Sequence, residues 1–113
     1  SSDFSPTRKK MEIKSLIETL KPDGIFASDD MTALLIMKIA EELGLHIPEQ
    51  LKIIGYDGTH FVEHYVPNLA SIKQPISDIA KLMVELLLQE IQGNPATSLE
   101  YTLPISLLPG RSI

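Results

Sequence analysis

Polar side chains follow three of the four short apolar runs of the sequence, at the points where strands would end. Asp29 and Asp30 come directly after the run GIFAS, Asp57 follows LKIIGY, and Gln74 follows ASIK. In open parallel sheets the ligand crevice lies beyond the carboxyl ends of the strands, so these side chains would meet at one edge. Three carboxylates and one amide are rich in hydrogen-bond acceptors. The set therefore predicts binding of hydroxyl groups, such as those of a sugar.

Local structure offers a second explanation for these acids. Asp30 directly precedes a helix-forming apolar run, and this position favours a helix N-cap over ligand contact. Asp29 has no evident local task, and Asp57 precedes Gly58 in an Asp-Gly pair that is also typical of a plain turn. Asp29, Asp57 and Gln74 are thus the predicted ligand-binding residues, and Asp30 is predicted to cap the helix or to lie beside the ligand.

The other chemistry-bearing residues predict no enzyme and no cofactor. The sequence has no cysteine, which excludes a disulfide framework, a thiolate metal site and a cysteine nucleophile. His60 and His64 have helical i, i+4 spacing, but no Glu follows His60 directly as in zinc proteases, so a solvated or capping role is favoured and no metal site is predicted. Ser28 lacks the Gly-x-Ser-x-Gly pattern of a nucleophile elbow.

The elements that must position the acids follow from apolar periodicity and from turn residues. Helices and strands alternate along most of the chain, which predicts an α/β fold with a largely parallel sheet flanked by helices. The last helix is predicted to begin at a cap on Ser77 or Asp78. The predicted helices cover 6–20, 31–43 and 78–92, with one further helical turn at 61–66 that Pro67 ends. The predicted strands cover 24–28, 51–56, 70–73 and the tail from Leu99, bent at Pro104.

The helix after the paired acids is too apolar for a single core-facing stripe. One of its faces is expected to pack on the sheet and another on a partner chain. The predicted dimer-interface residues are Leu34, Leu35, Ile36, Met37 and Ile39.

Composition restricts the partners of this chain of 113 residues. Ten basic and 15 acidic residues give a net charge of −5, the wrong sign for a surface that grips nucleic acid by itself. No apolar run approaches the ~18 residues of a membrane span. No membrane contact is expected, and a cytoplasmic location is predicted.

Several blocks of the sequence resemble one protein family. The segments PDGIFASDDMTALLIMKIAEELGLHIPEQLKIIGYDG, LASIKQP and LPISL occur in this order and span about residues 22–108. Together they resemble the carboxyl-terminal part of the effector-binding domain of lactose-repressor/galactose-repressor (LacI/GalR) transcription regulators. The resemblance implies a periplasmic-binding-protein-like fold.

The same resemblance implies an effector site. The family's Asn-Asp block falls on Asp29 and Asp30, with Asp29 in the position of the Asn that contacts the effector. The family's ligand-contacting Asp and Gln fall on Asp57 and Gln74. An ionised Asp only accepts hydrogen bonds, and two carboxylates would repel a phosphate, so a small neutral sugar is the expected effector.

Members of this family carry a DNA-binding head followed by a two-lobed domain. Residues 1–113 would then be an incomplete effector-binding domain, mostly one lobe: 1–73 and 98–113 would form the carboxyl-terminal lobe, and 74–97 the hinge crossings and a helix of the other lobe. The implied function is sugar effector binding and dimerisation in a transcriptional repressor, with allosteric control of DNA binding. A homodimer or higher oligomer is expected, with DNA bound only through the head domain absent from this chain.

Two other functions remain open at this point. One is a periplasmic sugar-binding protein of a transport system, which shares the fold. The other is a magnesium-dependent phospho-acceptor of the receiver type, in which Asp29, Asp30 and Asp57 would hold the cation. The order of elements counts against the receiver, because the strand before Asp57 follows the acid-pair strand without an intervening βα unit.

Overall fold

The structure, a computed structural model, describes residues 6–66, 68–94, 98 and 100–113. Its elements follow the predicted order and differ from the predicted bounds mainly at their ends. The helices are α1 (Pro6–Leu20), α2 (Asp30–Glu42), α3 (His60–Tyr65) and α4 (Ile76–Ile91), and the strands are β1 (Gly24–Phe26), β2 (Lys52–Asp57), β3 (Ala70–Lys73) and β4 (Ser106–Leu108).

The four strands form one sheet in the order β1-β2-β3-β4. β1 pairs with β2 in parallel, with Gly24 opposite Lys52, and β2 pairs with β3 in parallel, with Ile54 opposite Ala70. Parallel neighbours need a crossover between them, and α2 and α3 supply the two crossovers. The predicted parallel α/β arrangement is therefore confirmed. The predicted tail strand is much shorter than expected, and Leu99 lies outside the described residues.

The hydrophobic core lies between the sheet and α2, with α1 packed on α2. Ile36 is 4% exposed and Ile39 is 0% exposed, because this face of α2 covers the strands. The prediction that both residues belong to a dimer interface is corrected here, since side chains buried within their own chain cannot meet a partner. Leu34, Leu35 and Met37 are half-buried and border the same core.

The end of the chain is tied to the sheet by Ser112. Its buried hydroxyl accepts from the backbone N–H of Ala70 at 2.8 Å and donates to the carbonyl of Ile53 at 2.6 Å. Gly110 lies directly against the first residue of β3, because a Cβ added to this glycine would lie 2.5 Å from the backbone nitrogen of Ala70. Glycine is therefore required at this close approach of two backbone segments.

The chain divides into two compact units. The first holds the described residues of Ser1–Lys73 together with Leu107–Ile113, and the second is Gln74–Ser106. The main element of the second unit is α4, which begins after Pro75 without a side-chain cap, so the predicted cap at Ser77 or Asp78 is wrong. No residue of α4 is buried, and most of its large apolar side chains are exposed, namely Ile76, Met83, Val84, Leu87, Leu88 and Ile91. None of the described helices is long and apolar enough to cross a membrane.

Candidate ligand-binding site

Asp29 caps helix α2. Its backbone is extended (φ −153°), and its Oδ1 accepts the backbone N–H of Thr32 at 2.7 Å. This arrangement satisfies one of the donors left unpaired at a helix start. The prediction that Asp30 is the cap is therefore wrong by one residue, and Asp29 has the local task that the sequence did not reveal. Capping takes one carboxylate oxygen of two, so it is compatible with a ligand contact.

The cap also sets the charge of Asp29. The Thr32 backbone N–H lowers the pKa of the carboxyl below its ordinary value of 3.8, and the Thr32 hydroxyl and the nearby Lys9 charge lower it further. Each of these groups favours the ionised form. Asp29 is thus an anion at neutral pH and can only accept hydrogen bonds from a ligand.

We expect Asp29→Ala to lower the free energy of unfolding by about 1 kcal/mol, the usual cost of removing an N-cap. Asp29→Asn is expected to cost roughly 0.5 kcal/mol or less, because Asn caps equally well and only the favourable charge at the helix start is lost. Urea unfolding of the two variants measures the difference. Equal losses would mean that Asp29 contributes through its charge and not as a cap.

The lowered pKa of Asp29 predicts a pH dependence. A carboxyl with a depressed pKa in the folded state adds stability above its unfolded pKa, and that contribution disappears as pH falls through the folded pKa. The window therefore lies below about 3.8. In this window the wild type should lose its stability advantage over Asp29→Asn, whose side chain does not titrate.

Asp30 is a buried bridge between three segments. It is 4% exposed; its Oδ2 accepts the backbone N–H of Gly58 at 2.9 Å, and its Oδ1 accepts the hydroxyl of Ser71 at 2.5 Å. The carboxylate thus joins the start of α2 to the loop after β2 and to strand β3. Gly55 leaves room for it, because a Cβ at that position would collide with Oδ1. This role could not be predicted from the sequence, because Gly58 and Ser71 lie far from Asp30 along the chain and carry no local signal for it.

Asp57 ends β2 in an unusual backbone conformation. Its φ is +120°, and Gly58 follows with a φ of +60°. A non-glycine residue with such a φ is strained by about 1–3 kcal/mol, and such residues cluster at ligand-binding sites. Asp30 stabilises this turn by accepting the N–H of Gly58. The strained Asp57 is therefore presented on a turn that a buried carboxylate holds in place.

The acids lie at one edge of the sheet, as predicted. Phe26 of β1 is opposite Ile54 of β2, so Asp29, three residues after β1, and Asp57, the last residue of β2, lie at the carboxyl ends of two neighbouring parallel strands. The bond from Asp30 to Gly58 connects the residues that follow these two acids. Gln74 directly follows β3 and is the first residue of the second unit, and its part in the site stays a prediction.

A separate cleft lies away from these acids. Its volume is about 700 Å³, and its lining includes Ile17, Pro22, Leu43 and Gln50. These residues belong to α1, to the turn before β1 and to the segment before β2, where the strands begin. The carboxyl edge carries the acids and the strained turn, so it remains the candidate ligand site.

Matches to known proteins extend over nearly the whole chain. A family model for the periplasmic binding protein-like domain matches residues 2–113. The sucrose operon repressor of Streptococcus mutans is 57% identical over 113 residues, covering 100% of this chain and 35% of that protein. The sucrose operon repressor of Pediococcus pentosaceus is 44% identical, with 96% of this chain and 33% of that protein covered.

The chain belongs to the periplasmic binding protein-like family, as part of a LacI/GalR regulator. The resemblance noted in the sequence is thereby confirmed, and the receiver-type alternative is excluded. The LacI/GalR relatives named above are repressors and not enzymes, as the sequence predicted. The chain spans about a third of the length of these relatives.

Solved structures of LacI/GalR proteins share this fold. The structure of a dimeric Lac repressor with an 11-residue carboxyl-terminal deletion superimposes with a TM-score of 0.82 at 27% identity, covering 97% of this chain and 40% of that one. A LacI family regulator from Arthrobacter sp. FB24 in complex with lactose gives a TM-score of 0.80 at 27% identity, covering 92% and 40%. The periplasmic-binding-protein-like fold is thus confirmed.

Proposed function

We propose that the chain is the effector-binding and dimerisation segment of a sugar-responsive repressor, and that it recognises a neutral sugar through Asp29, Asp57 and Gln74. The observation that carries the proposal is the pair Asp29 and Asp57 at the carboxyl edge of β1 and β2, with the turn at Asp57 fixed by Asp30. Ligands of open α/β sheets bind at this edge. The names of the relatives, sucrose operon repressors, favour sucrose or one of its constituent sugars as the effector.

Charge argues for a neutral ligand. Asp29 is ionised at neutral pH because the Thr32 N–H lowers its pKa. A phosphate brought to an edge that carries Asp29 and Asp57 meets like charge, whereas sugar hydroxyls donate to carboxylate oxygens. A neutral sugar is therefore bound in preference to its phosphate ester.

The two units of the chain support a division between lobes. The first unit ends at Lys73, which is also the proposed end of the first segment of the carboxyl-terminal lobe. The chain re-enters this unit at Leu107, whereas the proposed lobe boundary places the re-entry at residue 98. In the whole protein the effector would bridge two lobes and shift their closure. That shift would change the affinity of a DNA-binding head outside this chain, which is an allosteric coupling through population shift. Such a regulator acts in the cytoplasm.

Dimerisation is proposed through α2. The half-buried Leu34, Leu35 and Met37 remain available at the border of the core, while Ile36 and Ile39 are enclosed. The Lac repressor structure that this chain resembles is described as dimeric, which favours a dimer here.

The test is calorimetry on the whole protein that contains this chain. Sucrose, fructose and glucose are titrated in turn, and each is paired with its 6-phosphate as the matched control. We expect at least one neutral sugar to bind, and its phosphate ester to bind at least about tenfold more weakly, a difference of ~1.4 kcal/mol. Tighter binding of the phosphate esters would overturn the neutral-sugar proposal.

The region upstream of Ser1 tests the repressor assignment. A helix-turn-helix head encoded there supports a repressor, and binding of that protein to DNA from its own promoter should change on addition of the sugar. An export signal in the same place would instead support the sugar-binding protein of a transport system.

A further inference from the structure

Helix α3 carries three potential metal ligands on one side. His60 stands at position i, and Glu63 and His64 occupy i+3 and i+4, the two positions that neighbour it on the helix surface. One ligand atom of each lies within 4.8 Å of the other two. The imidazole rings of His60 and His64 are parallel, with an angle of 3° between their planes and 5.9 Å between their centroids.

We propose that His60, Glu63 and His64 form a binding site for a zinc ion. Two imidazole nitrogens and one carboxylate oxygen are a donor set that zinc accepts, with bonds of about 2.0–2.2 Å. Ligand atoms around one ion at that bond length lie roughly 3–3.5 Å apart, so atoms that already lie within 4.8 Å of one another need to approach by at most about 1–2 Å. With three protein ligands, the fourth tetrahedral position stays open to water or to a ligand from elsewhere.

The position of α3 leaves this site accessible. Val62 is 3% exposed and anchors the helix in the core, whereas His60 and His64 are exposed and Glu63 is half-buried. Thr59 caps the helix by accepting the N–H of Val62 at 3.4 Å. Metal can therefore bind without unfolding of the core, and the backbone that carries the three ligands is already helical.

Lys73 competes with the metal for Glu63. Its Nζ lies 3.1 Å from the Glu63 carboxylate oxygen Oε2 in a partly buried ion pair. A zinc ion that takes this carboxylate weakens the ion pair, because both cations draw on the same negative charge. Lys73 is the last residue of β3 and pairs in register with Asp57. Metal binding at Glu63 would thus change the ion pair of the last residue of β3.

No metal site was predicted from the sequence, because the spacing of these residues differs from that of zinc proteases, in which Glu follows the first His. The spacing present here, His-Phe-Val-Glu-His, puts the Glu directly before the second His. On a helix this order still makes both Glu63 and His64 neighbours of His60. The folded side chains bring one ligand atom of each residue close to the other two.

The experiment is a zinc titration of tag-free whole protein, with a chromophoric chelator as competitor. Wild type is expected to bind one zinc ion per chain at this site, and His60→Ala and His64→Ala are each expected to weaken binding at least tenfold. The matched control is His46→Ala, which removes the third histidine, an exposed residue outside the group, and should leave affinity unchanged. Circular dichroism confirms that each variant is folded.

Lys73→Met tests the role of Glu63 separately. Removal of the competing cation should tighten zinc binding severalfold, and Glu63→Gln should weaken it. If zinc binds the wild type and His60→Ala equally, or if binding depends on His46, the proposed site does not exist. If Lys73→Met and Glu63→Gln both leave affinity unchanged, Glu63 is not a ligand and the three-residue site is overturned.

Discussion

Replacement of Asp30 by Ala is expected to lower the free energy of unfolding by roughly 3 kcal/mol. The change leaves the N–H of Gly58 and the hydroxyl of Ser71 without the acceptor that they share in a buried position. An unsatisfied buried donor costs about 1–3 kcal/mol. Two such donors would cost about 2–6 kcal/mol. Removal of a buried carboxylate also removes its desolvation cost, so we expect a loss in the lower half of that range.

The loss is measured by urea unfolding followed by circular dichroism. Asp23→Ala is the matched control, because Asp23 is an exposed acid in the turn before β1, and its replacement should change stability by at most about 0.5 kcal/mol. The stability loss of Asp30→Asn should lie between the losses of these two variants. The amide of Asn keeps one acceptor oxygen, but its NH2 group would face one of the two donors, the Gly58 N–H or the Ser71 hydroxyl. A loss at Asp30→Ala no greater than that at Asp23→Ala would show that the bridge does not contribute to stability.

Asp57→Asn is expected to weaken binding of the neutral sugar by about 10- to 100-fold. A hydrogen bond to a charged group contributes about 1.5–3 kcal/mol, and each 1.4 kcal/mol corresponds to a factor of ten in affinity. Asn is the suitable replacement because, like Asp, it tolerates positive φ, which is +120° at this position. The turn should therefore keep its backbone conformation while the ligand loses a charged acceptor.

Calorimetry with the neutral sugar that binds the wild type measures this effect. Asp23→Asn removes the same charge from the segment before β1, away from the carboxyl edge of the sheet, and should leave affinity unchanged. The preference for a neutral sugar over its phosphate should narrow in Asp57→Asn, because one of two repelling charges is gone. Unchanged affinity for the neutral sugar would remove Asp57 from the site.

The element order could be predicted because its signals are local. Helix α2 is marked by apolar periodicity and by Gly44 after its end, where the backbone adopts φ +76°. The acids after β1 and β2 could be assigned to one edge because parallel strands place their carboxyl ends together. Element ends were predicted less accurately. The helix after Pro75 begins without a side-chain cap, although the polar residues Ser77 and Asp78 had suggested one.

The different roles of neighbouring residues, such as Asp29 and Asp30, depend on tertiary geometry and cannot be predicted from the local sequence. Asp29 and Asp30 are chemically identical, and the structure makes the first a cap and the second a buried bridge because the helix begins at Asp30. The rotation of α2 about its own axis likewise decides that Ile36 and Ile39 face the sheet while Leu35 lies at the border. A crowded apolar run leaves that rotation undetermined, since several faces are hydrophobic enough to be buried.

By itself, the sequence determined an α/β chain with carboxylates at the ends of two parallel strands, and its blocks identified the LacI/GalR family. The tertiary structure alone decided which groups those carboxylates contact. Gly58 and Ser71 lie 28 and 41 residues from Asp30 along the chain, and only folding brings them within hydrogen-bond distance. Apolar periodicity and helix caps reflect interactions between residues that are close in sequence. The order of the strands and the path of each crossover bring together residues that are distant in sequence.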